Sequence, residues 1–263
     1  MTNNVIKAIV LAGCLFLASC SLGSQEGSPP SSPIPVQEED AFWASVWSAD
    51  AGIDLFSRAG ELVRGTVEAG YMAQAFGVKR SFPGYLDALG GEPLPAQNDP
   101  RRQAIAAAYA PPDLGPGAPN LKSLFYHVVE LTNDNSRVSA KICEYGLLPT
   151  PSMPLRYLGM GEAVTLVKHD GPVGRPGIPD TGKNSEGIVG KIPGWNIFGS
   201  WRITESRGLR GETLPAQCTA WWKSVFPEAI QDPGRNSVQL PGLAPAAAGE
   251  VQYPKWIGPS NSE

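Results

Sequence analysis

Residues 119–146 read "PNLKSLFYHVVELTNDNSRVSAKICEYG", and the spacing of the apolar positions changes partway along. In the first half Leu121, Leu124, Phe125, Val128 and Leu131 recur three or four apart, which predicts a helix with one apolar side. In the second half Val138, Ala140 and Ile142 alternate with Ser139, Lys141 and Cys143, which predicts a strand. A helix that runs directly into a strand puts the chain in the mixed, α+β class.

Upstream, the chain from Asp40 to Phe76 also reads as helix, with Asp40 as its cap and Gly52 as the point where it would break. Phe42, Val46, Ile53, Phe56, Val63, Val67 and Tyr71 fall at roughly helical spacing. Trp43 and Trp47, four apart, share a flank and read as core packing. Gly60, Gly65 and Gly70 lower helix propensity, which points to a close approach by another helix. Asp50, Asp54, Arg58, Glu61, Arg64 and Glu68 exclude a simple membrane span for this stretch. Then come a loop, "SFPGYLDALGGEPLPAQNDP", and a short helix, "RRQAIAAAYA", closed by Pro111 and Pro112. The heptapeptide Gly91–Gln97 returns almost unchanged as Gly211–Gln217, but its flanks do not align, so the pair reads as two similar turns rather than a duplication.

Downstream, "LRYLGMGEAVTLVKHDG" predicts one or two strands and "GKIPGWNIFGSWRITESRG" another pair. "QCTAWWKSVFPEAI" is a short helix that carries Cys218. From Asp232 onward Pro, Gly and Ala dominate, and the expectation is a tail with little regular structure, pinned by Tyr253 and Trp256. The predicted architecture is therefore N-terminal helices, then a small antiparallel sheet region, with a disordered tether and tail.

The chain has 263 residues and a formal net charge of −4, which offers no basic field for nucleic acid. Only 17% of its residues are charged, below the usual quarter, while 30 Gly and 26 Pro favour fixed turns around a modest core.

The N-terminus carries "KAIVLAGCLFLASC": a basic Lys7, an apolar core from Ala8 to Ala18, and small residues before each of two cysteines. The core is shorter than the roughly 20 residues of a bilayer span. Leu17-Ala18-Ser19-Cys20 resembles the lipobox of a bacterial lipoprotein signal peptide. Leu11-Ala12-Gly13-Cys14 matches locally too, but a cut there leaves a truncated apolar core and strands Leu15, Phe16 and Leu17 beside the anchor. The resemblance covers the first twenty residues and implies cleavage before Cys20, lipidation of Cys20 and an envelope location. In a host with two membranes, Ser21 is permissive for the outer one. The expected organisation is a signal peptide over 1–19, a lipidated Pro/Ser-rich tether over 20–39, one mixed domain over 40–231 and a tail over 232–263. Outside the cytoplasm, the two remaining cysteines, Cys143 and Cys218, are expected to form a disulfide.

Signatures of chemistry are sparse. His127 sits among apolar residues and reads as a core or boundary histidine. His169 precedes Asp170 at a strand-to-turn junction, where a general base is conceivable, but no nucleophile motif accompanies it. Glu144, Glu162, Glu186 and Glu205 are candidates for a carboxylate pair, but they lie scattered and read as solvent-facing. No metal or cofactor motif is present: Gly159-Met160-Gly161 lacks the rest of a phosphate loop. Trp195 lies between turn signals in "PGWNIFGSW" and is a candidate ligand contact together with His169. The expected function is a non-enzymatic envelope lipoprotein, held to the bilayer by acyl chains, that binds another envelope protein as an accessory or protective partner. The alternative is a lipoprotein that binds or cleaves cell-wall glycan.

Overall fold

The computed structural model describes residues 44–91, 123–147, 157–181, 188–190, 192–242 and 251–258, all within one unit, Val36–Glu263. The signal peptide, Cys20, the tether, Trp43, the helix expected at 101–110, Glu186, and residues 243–250 and 259–263 of the tail lie outside the described residues.

The chain is a mixed α+β protein with several helices and a multi-stranded sheet. Its first described element is a strand, β1 (Ala44–Ala49), and not the start of the helix expected from Asp40. Helix α1 (Arg58–Phe76) begins at Ser57, whose Oγ accepts from the Gly60 amide at 3.1 Å, and ends at Gly77. A short helix, α2 (Tyr85–Leu89), follows inside the stretch read as loop. Next come two long strands, β2 (Ser123–Asn133) and β3 (Arg137–Leu147). Over Ser123–Asn133 the helix expected across 119–134 is thus corrected to a strand. Both sides of β2 are covered: Leu124, Tyr126 and Val128 enter one core, while Val129 enters the other with Phe125 packed against it. A strand buried on both faces has no alternation to display.

Strand β4 (Tyr157–Leu158) leads into β5 (Met160–Val173), followed by β6 (Ile188–Gly190), β7 (Gly199–Leu209) and helix α3 (Ala216–Val225). The end of the chain adds β8 (Ile230–Gln231), β9 (Val238–Gln239) and β10 (Trp256–Gly258). So the expected tail contributes two strands, and Trp256 is 2% exposed.

The main sheet has the order β1-β2-β3-β5-β7. Strand β1 runs parallel to β2, as a connection through helices allows, and the other neighbours are antiparallel. Helices α1 and α2 cover one face and α3 the other. On the α3 face, Cys143 of β3 is bonded to Cys218 of α3, with Cα atoms 5.4 Å apart and both residues fully buried. Two smaller sheets, β4-β9-β8 and β6-β10, complete the described structure.

Helix α1 is buried along most of its length, including three charged residues, Glu61, Arg64 and Glu68. Each has partners from distant parts of the chain. Glu68 accepts from the indole N–H of Trp47 on β1 and of Trp256 on β10, both at 2.7 Å. The Arg64 guanidinium lies 4.5 Å from the ring centre of Trp256 and donates to the Pro254 carbonyl. Glu61 accepts from Arg58 and from the Gly177 amide. Gly65 is the close approach the sequence hinted at: a Cβ there would stand 2.1 Å from Ile197 Cδ1. The approaching element is the loop before β7, not another helix. Among the described residues, no helix is long and apolar enough to cross a membrane.

Candidate functional site

Glu144 stands near the end of β3 and Glu162 near the start of β5. In the β3–β5 register, Glu144 faces Met160 and Ile142 faces Glu162. The two glutamates are therefore diagonal neighbours, about 7–8 Å apart between Cα atoms. Both share the face of buried Ile142 and Val164, beneath α1 and α2. On one side Tyr126 of β2 lies opposite Glu144. On the other, Ser206 of β7 donates to Glu162 Oε1 at 2.7 Å. The helical layer adds Tyr71 from α1 and Tyr85 from α2.

These groups perturb one another. Burial and then the Glu144 charge push the Glu162 carboxyl up to about 8, against the hydrogen bond from Ser206. Burial also raises Glu144, opposed by the charge of Arg210. Tyr71 is pushed up to about 12 by burial and by Glu144, and Tyr85 is raised by burial and by Glu162. The Tyr85 hydroxyl is buried and has no hydrogen-bond partner among the described residues. Yet Glu144 and Glu162 are only half-buried, so solvent reaches this end of the sheet. At neutral pH Glu162 keeps its proton and can both donate and accept. An ionisable pair perturbed by burial at an end of the sheet that solvent reaches is a functional-site candidate on physical grounds.

The sequence named both glutamates but gave no reason to join them, and their solvent-facing reading is corrected here. The sheet register is what joins them. Glu205 points to the other face, where it accepts from Thr165 and pairs with Arg207. Trp195 is half-buried against the core, and its indole donates to the Arg175 carbonyl at 3.1 Å. His169 is exposed on the outer part of β5, beyond an irregularity in its pairing with β7. Nothing in the described contacts brings Trp195 and His169 together.

His127 sits on β2, 8% exposed, as a boundary residue. Its ring stacks on Trp221 of α3, with centres 5.0 Å apart. Its Nδ1 lies 2.8 Å from Ser48 Oγ and its Nε2 lies 3.1 Å from Asp50 Oδ1. Among the described residues, no group of three or more His, Cys, Asp or Glu is placed to hold a metal ion. No protein-family model matches this chain, and comparison with curated proteins and with solved structures brings out no match.

Proposed function

We propose that this chain is an envelope lipoprotein, anchored through Cys20, whose domain recognises cell-wall glycan in the pocket of Glu144 and Glu162. One observation carries the reading: two half-buried carboxyls on one face of the sheet, close to three tyrosines and bonded to a serine, with both carboxyls raised by burial. Carboxyls and hydroxyls together suit the alternating donors and acceptors of a polyhydroxylated ligand. No cation is needed for such a ligand. The anchor would keep the pocket near the wall, and the mass of the mature N-terminal peptide tests it: an acylated Cys20 is expected.

The test of the pocket is titration of the full mature protein with soluble wall-glycan fragments, followed by calorimetry. Binding is expected at pH 7 and should weaken by about tenfold by pH 9, because ionised Glu162 loses its donor and adds charge beside Glu144. Glu162→Gln keeps a neutral donor and should remove this pH dependence, while Glu144→Ala should weaken binding at every pH. Saturable binding that ignores both substitutions would place the ligand elsewhere.

A second reading, a protein partner in the envelope, draws on a different surface. Tyr157 of β4 and Ile230 of β8 both pair with Gln239 of β9, so the three stand in one row. Tyr157 is 45% and Ile230 63% exposed, so two large apolar side chains flank Gln239 on an open surface. Crosslinking in intact envelopes that captures one stoichiometric protein through this row, with no glycan binding, would favour it.

A further inference from the structure

On the α3 face of the sheet, opposite the glutamate pocket, Ser48, His127 and Asp50 form a chain of two hydrogen bonds. Ser48 lies directly opposite His127 in the parallel β1–β2 register. Asp50, two residues on, reaches the far nitrogen of the same ring. We propose that Ser48 is a nucleophile activated by His127, and that the site cleaves carboxylic esters.

The roles follow from the geometry. Neutral imidazole has one donor and one acceptor nitrogen. Asp50 accepts only, so it fixes the proton on Nε2 and leaves Nδ1 to take the proton of Ser48. The ring is reversed relative to most serine hydrolases, so its two nitrogens exchange tasks: Nδ1 faces the serine and Nε2 the aspartate. Stacking on Trp221 holds the ring in place. Ser48 itself is exposed, and its hydroxyl also lies 3.3 Å from the Tyr126 carbonyl. A structural clasp for an edge strand has no need of an exposed hydroxyl on the ring.

The strand supplies a donor for the developing oxyanion. Trp47 N–H points outward to the Tyr253 carbonyl, whereas Asp50 N–H points inward to the Val128 carbonyl. Alternation along the strand then turns the Ala49 N–H outward, to the same edge as Trp47. The residue after a nucleophile often serves this purpose. Ser48 Oγ attacks the acyl carbon while its proton passes to Nδ1. The tetrahedral adduct collapses, the bond to the alkoxy oxygen breaks, and the alcohol leaves with that proton. Water then repeats the sequence on acyl-Ser48, releasing the carboxylic acid and restoring the serine hydroxyl.

The site is independent of the glycan reading and is tested separately. The full mature protein is treated with a fluorophosphonate probe and mapped by mass spectrometry, and hydrolysis of p-nitrophenyl acetate is followed in parallel. A single adduct on Ser48 is expected, absent in Ser48→Ala. Asp50→Asn, with Tm unchanged, should label at least about tenfold more slowly, as positioning of a base predicts. Ser48→Cys should react with iodoacetamide faster than the same cysteine does in a Ser48→Cys/His127→Gln chain. No adduct on Ser48 under conditions that saturate a control esterase would overturn the proposal. So would an adduct that forms equally fast in the Asp50→Asn protein.

Discussion

Glu68→Ala is expected to remove most of the stability of the fold, and loss of the urea transition at neutral pH is the measurement that shows it. Glu68 is 3% exposed and joins three elements: α1, which carries it, β1 through Trp47 and β10 through Trp256. Its removal leaves Arg64 buried with no carboxylate beside it on the next turn, and leaves two indole N–H groups unpaired. Each orphaned donor costs about 1–3 kcal/mol, and the buried Arg64 guanidinium loses a group that favours its charge. A domain of this size has about 5–15 kcal/mol in total. Glu68→Gln keeps an acceptor for one indole and should cost less.

The same residue sets a pH slope. Burial raises the Glu68 carboxyl to about 7, and it outweighs Arg64 and the two indole bonds, which act to lower it. The folded chain thus holds a proton that the unfolded chain has released. Stability from this group is full below the unfolded carboxyl range and is lost as pH rises from about 4.5 to about 7. Glu162, raised to about 8, slopes the same way and a little further. The wild-type urea midpoint should fall between pH 5 and pH 8, and the fall should be shallower in Glu68→Gln. A midpoint that rises over that range would contradict the assignment.

How much of this was legible in the sequence depended on the exposure of each element. Strand β3 was legible because its outward positions are half-exposed: Ser139 and Lys141 are half-buried between the inward Val138, Ala140 and Ile142. Strand β2 was not. Its apolar residues serve two cores at once, and Leu124, Phe125 and Val128 fall at helical spacing only because both faces are filled. Strand β1 misled in another way, for Trp47 takes its place from a long-range bond to Glu68 and not from a helical neighbour. The end of α1 at Phe76 was readable, while its start at Ser57 was hidden by earlier apolar positions. Both candidate sites depend on pairing across strands. Ser48 and His127 are 79 positions apart and Glu144 and Glu162 lie on separate strands, so composition and motif spacing could not join either pair. Cys143 and Cys218 were the exception, because two cysteines leave one pairing.

That disulfide carries the last prediction. Cys143→Ala/Cys218→Ala should unfold at a lower urea midpoint, with a loss of about 4.5 kcal/mol, because the bond closes a loop with a sequence separation of 75 and so restricts the unfolded chain. The loss should not be uniform. Cys218 is what ties α3 to the sheet covalently, whereas α1 is held by Glu61, Arg64 and Glu68 at the opposite face. Amide exchange in residues 216–225 should therefore quicken at denaturant concentrations where residues 58–76 remain protected. The loosening should also reach function unevenly. Trp221 of α3 stacks on His127, so labelling of Ser48 should fall in the double variant. Glu144, next to Cys143 on the strand, points to the other face, and the glycan binding proposed for the glutamate pair should be unchanged. Equal loss at both faces would mean that the two cores unfold as one unit, and an unchanged midpoint would mean that the staple contributes nothing to the fold.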